Sequence, residues 1–81
     1  MKTVNYTPRG VCSRNIRFTL DGDTVHDVKF TGGCNGNLQG IAKLVEGMKI
    51  DDVIERLDGI DCNGKGTSCP DQFAQALKAY K

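Results

Sequence analysis

Residues 16–31 decide the fold, and they spell IRFTLDGDTVHDVKFT. Apolar and polar residues alternate on both sides of Asp21-Gly22-Asp23, which is typical of two half-buried β-strands joined by a tight turn. The alternating apolar residues are Ile16, Phe18 and Leu20 before the turn, and Val28 and Phe30 after it. We therefore predict an antiparallel hairpin with strands over about 13–20 and 24–31.

The segments that flank the hairpin predict the rest of the fold. Residues 1–11 contain the turn signal Pro8-Arg9-Gly10, which keeps any earlier strand short. After the hairpin the apolar residues recur at helical intervals, and we predict helices over about 38–47, 51–58 and 70–80. The expected fold class is α+β, a short antiparallel sheet built on the N-terminal hairpin and followed by three helices packed on it.

Small and polar residues mark the ends of the predicted helices. Asn37 is placed to cap the first helix, and Gly47 and Gly59 are placed to end the first two. Ser68 precedes the third helix, with Asp71 at the spacing of a capping box.

Length and composition limit what the chain does. Its 81 residues form a single domain, whose small core would gain from a covalent or metal staple. A net charge of +1 gives no reason to expect direct nucleic-acid binding. The start, residues 1–8, lacks the apolar run of an export signal, and no stretch approaches the roughly 18 apolar residues of a membrane span. We therefore expect a cytoplasmic protein with no membrane partner.

Four cysteines, Cys12, Cys34, Cys62 and Cys69, are the strongest indication of function. In a reducing compartment such residues are more often metal ligands or redox groups than disulfides. Each lies at a boundary between predicted elements, where side chains from different elements can converge. Cys34 and Cys69 also precede predicted helix starts, where free backbone amides favour a negatively charged thiolate.

The interpretation we favour is a closed zinc site in which all four cysteines are ligands. The same four thiolates suit an iron–sulfur cluster. Their spacing is not that of a standard motif, because 21, 27 and six residues separate successive cysteines. Two alternatives therefore remain open: a thiol redox protein with a reversible Cys62–Cys69 disulfide, and isolated structural thiols or disulfides.

His26 is the one histidine of the chain. The alternation places it on the same strand face as Val28 and Phe30. We expect a packed or partly exposed histidine there rather than a fifth metal ligand.

Motifs along nearly the whole chain resemble the TSCPD domain family. Residues 67–71 spell TSCPD, and they are preceded by VC at 11–12, GGCNGN at 32–37, GI at 40–41 and GIDC at 59–62. These motifs resemble the small stand-alone branch of the family, which carries four cysteines at such positions. The resemblance thus groups the four cysteines of this chain.

The resemblance also implies a biological setting. Related domains are appended to the C-terminal part of some ribonucleotide reductases, including adenosylcobalamin-dependent ones, so it implies a link to deoxyribonucleotide synthesis and a ribonucleoside-diphosphate reductase as a partner. A chain of 81 residues cannot hold the barrel and radical site of such an enzyme. We therefore expect an accessory metal or redox module rather than an enzyme acting alone. A weaker similarity, in the strand, Gly-Cys turn and helix order, is to scaffold proteins of iron–sulfur cluster assembly, which use three cysteines.

Overall fold

A computed structural model describes residues 1–11, 13–32, 35–61, 64 and 66–80. Three strands precede three helices, which confirms the α+β prediction. The strands are β1 (Lys2–Tyr6), β2 (Ser13–Asp21) and β3 (Thr24–Gly32), and the helices are α1 (Asn35–Val45), α2 (Ile50–Leu57) and α3 (Cys69–Lys78).

The sheet has the order β1-β2-β3, and both neighbouring pairs are antiparallel. The predicted hairpin is formed by β2 and β3, and its turn includes Gly22 at a φ of 61°. The early strand is short, as predicted, and its five residues pair with β2 from Lys2–Leu20 to Tyr6–Ile16.

A β-bulge in β3 shifts the alternation of that strand and corrects the predicted position of His26. Arg17 pairs with Lys29 and Thr19 with His26, so two residues of β3, Asp27 and Val28, lie opposite one residue of β2. Asp27 adopts a φ of 52°, in the left-handed region. Because of the extra residue, His26 does not share the face of Val28 and Phe30. Val25 takes the inward position instead and is fully buried.

The first helix begins earlier than predicted. It starts at Asn35, so Asn37 lies inside its first turn and is not its cap. The chain leaves β3 at Gly32, whose φ of 85° turns it sharply, and the helix starts within three residues of the strand. The predicted ends of the first two helices are confirmed, because Gly47 and Gly59 lie two residues past Val45 and Leu57, at φ values of 79° and 82°.

The connection between α1 and α2 is attached to the edge of β3. The backbone N–H of Val25 donates to the carbonyl oxygen of Met48 at 2.9 Å. The N–H of Gly47 donates to the carbonyl oxygen of Val25 at 2.7 Å. The N–H of Ile50 donates in turn to Asp23, at 2.7 Å. This edge of the sheet is therefore paired where the two helices meet.

The three helices cover one face of the sheet and enclose a single core. Its centre is a cluster of rings in which Phe73 of α3 lies edge-on to Phe18 and Phe30, with centroids 5.3 and 5.8 Å apart. The buried apolar residues around the rings include Ile16, Leu20, Val25, Val45, Ile50, Val53, Ile54, Ala76 and Leu77. Among the described residues, no helix is long and apolar enough to cross a membrane.

Candidate metal centre

The start of α3 is fixed by its cap. Ser68 has an extended backbone, and its buried hydroxyl accepts a hydrogen bond from the N–H of Asp71 at 3.1 Å. This confirms Ser68 as the N-cap. Cys69 is the first residue of the helix and Pro70 the second, so the cysteine backbone is set at the helix N-terminus.

The carboxylate of Asp71 does not complete a capping box but reaches across to the loop that precedes α3. Its Oδ1 accepts hydrogen bonds from the N–H of Gly59, at 2.7 Å, and from Gln75 Nε2, at 3.1 Å. Its Oδ2 accepts one from the hydroxyl of Thr67. Asp71 is buried, and it joins the two ends of the segment 59–67.

The bonds to Asp71 also set its ionisation. Burial raises the pKa of this carboxyl, but hydrogen bonds from Thr67, Gly59 and Gln75, with the charge of Lys78, outweigh burial and lower the pKa below its ordinary value. Asp71 is therefore a carboxylate at neutral pH, and it accepts hydrogen bonds through both oxygens.

A second aspartate shapes the same loop. The carboxylate of Asp61 accepts hydrogen bonds from the N–H groups of Gly64, at 2.8 Å, and Gly66. Both glycines have φ near 80°, which residues with a side chain rarely adopt. The described part of the loop between Asp61 and Thr67 thus folds back on the side chain of Asp61.

Gln72 attaches the N-terminal loop to the start of α3. Its Oε1 accepts hydrogen bonds from the hydroxyl of Tyr6, at 3.3 Å, and from the N–H of Arg9, at 3.1 Å. Its Nε2 donates to the hydroxyl of Thr67 at 3.0 Å. The chain that follows β1 therefore lies against the segment that carries Thr67.

Ser13 makes the contact that bears most directly on the cysteines. Its hydroxyl donates a hydrogen bond to the Cys69 sulfur, with 2.9 Å between Oγ and Sγ. Ser13 pairs with Gly32 and Asn15 with Thr31, so Arg14 is an extra residue in β2. Because of this second bulge Ser13 faces inward, with only 3% of its surface exposed, whereas strict alternation from Ile16 would turn it outward.

Of the four predicted ligands, only Cys69 belongs to the described residues, where it is a free, partly exposed thiol. The predicted ligands Cys12, Cys34 and Cys62 lie outside the described residues. Within the described ranges, no group of three or more His, Cys, Asp or Glu side chains is arranged to hold a metal ion.

His26 is partly exposed and lies in a polar cluster of its own. Its Nδ1 is 2.8 Å from Glu46 Oε2, and its Nε2 is 2.9 Å from the hydroxyl of Thr24. The other oxygen of Glu46 accepts the N–H of Asp27 at 2.9 Å. The bond from Asp27, with that from His26, lowers the pKa of the Glu46 carboxyl. Glu46 therefore holds the bulge in β3 from the end of α1.

The sequence pattern did not single out Ser13, Asp61 or Gln72. Ser13 directly follows Cys12, but a bulge that turns it inward leaves no mark in the alternation of one strand. The bonds of Asp61 and Gln72 depend on loop shape, although an aspartate shortly before glycines is a common turn signal.

Comparison with known proteins places the chain in a family. No curated protein matches it, and no solved structure does. The TSCPD domain matches it over residues 1–81. The chain therefore belongs to the TSCPD domain family.

Proposed function

We propose that this protein is a small metal-binding module in which Cys12, Cys34, Cys62 and Cys69 hold one zinc ion. The observation that carries the proposal is the hydrogen bond from Ser13 to the sulfur of Cys69. Ser13 directly follows Cys12, so this bond brings the chain neighbour of one proposed ligand into contact with a second proposed ligand, Cys69.

The pairing in the sheet extends this contact to a third cysteine. Ser13 pairs with Gly32 across β2 and β3, and Gly32 precedes Cys34 by two residues. Because successive Cα atoms are about 3.8 Å apart, one or two residues keep a side chain near its described neighbour. The neighbours of Cys12 and Cys34 thus support a common site with Cys69 at this end of the sheet.

The loop before α3 supports a place for Cys62 in the same site. Asp61, its chain neighbour, is bonded to the two glycines that follow, and Asp71 joins Gly59 to the helix start. These bonds return the chain to Cys69 within a short span.

The chemistry of the donor set fits zinc. Cys69 is partly exposed, its sulfur accepts a hydrogen bond, and it begins a helix whose free amides favour negative charge. Four such thiolates form a closed tetrahedral site that stabilises a fold without performing chemistry. An 81-residue domain with a small core is the kind that gains most from such a staple.

We further propose an accessory role beside a ribonucleotide reductase. The support is the family membership of the chain, since related domains are appended to some of these enzymes. In this role the zinc module would offer a folded surface to the larger protein, in the cytoplasm, and would carry no reductase chemistry itself.

The test is a comparison of Cys34→Ser with Val53→Ala. Because metal affinity in so small a domain is folding free energy, Cys34→Ser should lose both bound zinc and thermal stability. Val53 is fully buried in α2, so Val53→Ala should lower the unfolding free energy by about 1–3 kcal/mol without lowering the zinc content of the folded protein. Elemental analysis and thermal unfolding give the two readouts. A Cys34→Ser protein of unchanged stability and zinc content would show that this cysteine holds no structural metal.

A further inference from the structure

The direction and the strength of the hydrogen bond between Ser13 and the Cys69 sulfur depend on the charge of that sulfur. A thiolate has no proton to donate, so in the bond to Cys69 the Ser13 hydroxyl is the donor whenever the cysteine is ionised. Hydrogen bonds to an ionised acceptor are roughly twice as strong as neutral ones. Ser13 is almost fully buried, so water cannot easily replace this donor.

A bulge in β2 turns the Ser13 hydroxyl toward Cys69. Without the extra residue Arg14, Ser13 would lie on the outer face of the sheet with Arg17 and Thr19. With the bulge, it lies inward between the strand and the N-terminus of α3. β-Bulges often re-aim a side chain next to a functional site.

We propose that Ser13 is a positioning residue of the cysteine site, an inference that rests on the proposed function. Its hydroxyl orients the Cys69 sulfur and favours the metal-bound thiolate. Partners of this kind around metal ligands fix ligand orientation and tune the metal, and their removal typically lowers metal affinity 10- to 100-fold. The Ser13 hydroxyl takes no proton and binds no metal. It withdraws negative charge from the Cys69 sulfur, which is the atom that binds the metal.

The test uses two pairs of variants matched in shape. The wild type and Ser13→Ala differ by the hydroxyl alone, and so do the nearly isosteric variants Ser13→Thr and Ser13→Val, in which any cost of the larger side chain cancels. Thr19→Val is the control, because it removes a hydroxyl from the outer face of the same strand, where Thr19 Oγ1 lies 3.2 Å from Thr3 Oγ1 and contacts no cysteine among the described residues.

Two measurements follow for each protein. Competition with a chromophoric chelator gives the zinc affinity, which should fall about 10- to 100-fold from wild type to Ser13→Ala and from Ser13→Thr to Ser13→Val. Cobalt(II) in place of zinc gives the sulfur-to-metal charge-transfer band. Loss of the hydrogen bond raises the energy of the sulfur electrons, so the band should move to longer wavelength in Ser13→Ala and Ser13→Val and stay in place in Thr19→Val.

The outcomes separate the two proposals. If the wild type binds neither zinc nor cobalt through sulfur, the proposed function fails and the role of Ser13 fails with it. If the wild type binds both metals, and the members of each pair agree in affinity and band position, the zinc site stands and the assignment of Ser13 is overturned.

Discussion

Asp71 shows at the scale of one residue how the motif that names the family organises the candidate site. The same side chain accepts bonds from Gly59, Thr67 and Gln75, while its backbone N–H is capped by Ser68. A glutamate would place its carboxylate one methylene farther out, and an asparagine could offer only one acceptor oxygen. The motif therefore fixes the shape of the loop as well as the position of a thiol.

We predict that Asp71→Asn lowers the unfolding free energy by about 1–3 kcal/mol at pH 7, because bonds to a buried carboxylate are lost or weakened. The pKa of Asp71 is lower in the folded protein than in the unfolded chain. Its contribution is therefore fully present above the unfolded pKa and disappears as pH falls through the folded pKa. Urea unfolding of both proteins between pH 7 and pH 2 measures this difference.

The two stability curves should approach each other in acid, where the wild-type carboxyl is protonated. The parallel variant Asp61→Asn changes an exposed carboxylate in the same loop and should lose less stability at pH 7. A constant gap between wild type and Asp71→Asn across the whole pH range would contradict the charged state assigned to Asp71.

Sequence reasoning succeeded for this residue only in part. The Ser68 cap follows from residue type and spacing, which are local, and the structure confirms it. The capping-box spacing also predicted that Asp71 would reach back to the cap. It reaches Gly59 instead, 12 residues earlier, because the loop returns to the helix start, and such a return is not visible in spacing along the chain.

At the scale of the element, the bulge in β3 is the feature that sets which side chains face the core. Asp27 occupies a left-handed backbone conformation, and the side chain of Glu46 accepts its N–H. Aspartate tolerates this region better than most residues, whereas a β-branched residue does not. The bulge places Val25 in the core and leaves His26 beside Glu46.

We predict that Asp27→Val lowers the unfolding free energy by about 1–2 kcal/mol, the cost of a side chain branched at Cβ in the left-handed region. Asp27→Gly should stay within about 1 kcal/mol of the wild type, since glycine relieves the strain but loses more entropy on folding. Lys29→Val is the control, an exposed position of the same strand where valine suits the backbone. Equal stability of Asp27→Val and wild type in urea unfolding would exclude a left-handed residue at position 27.

The sequence predicted the elements better than their details. Helices and strands follow from periodicities of 3.6 and 2 residues, which are strong in α2, α3 and β2. A bulge breaks the period of two without changing composition, so the alternation through His26 predicted the wrong face. The start of α1 was also predicted too late, because the helix begins only three residues after Gly32, which ends β3 at a φ of 85°.

At the scale of the whole molecule, one small core lies between one face of a three-stranded sheet and three helices. Its aromatic centre joins β2, β3 and α3, so the sheet and the last helix stabilise each other. The contact between Ser13 and Cys69 lies between the same two layers, from β2 to α3. A metal ion held there would cross-link the first third of the chain to its last, as a disulfide does in secreted domains of this size.

Family membership and fold class could both be predicted from the sequence, because motifs and periodicities depend only on the local order of residues. The convergence of the cysteines could be predicted only as a hypothesis, since it depends on how distant segments meet. The contacts of Ser13 with Cys69 and with Gly32 support that hypothesis, and the metal analysis below tests it.

The most direct test of the zinc site is a metal and thiol count on the native protein purified without oxygen. Elemental analysis should find one zinc per chain, and a thiol reagent should find almost no reactive cysteine until a chelator and denaturant are added, when all four react. Iron with acid-labile sulfide would instead indicate a cluster carrier. Four thiols that react freely in a folded, metal-free protein would contradict the zinc site and favour a redox role for Cys62 and Cys69.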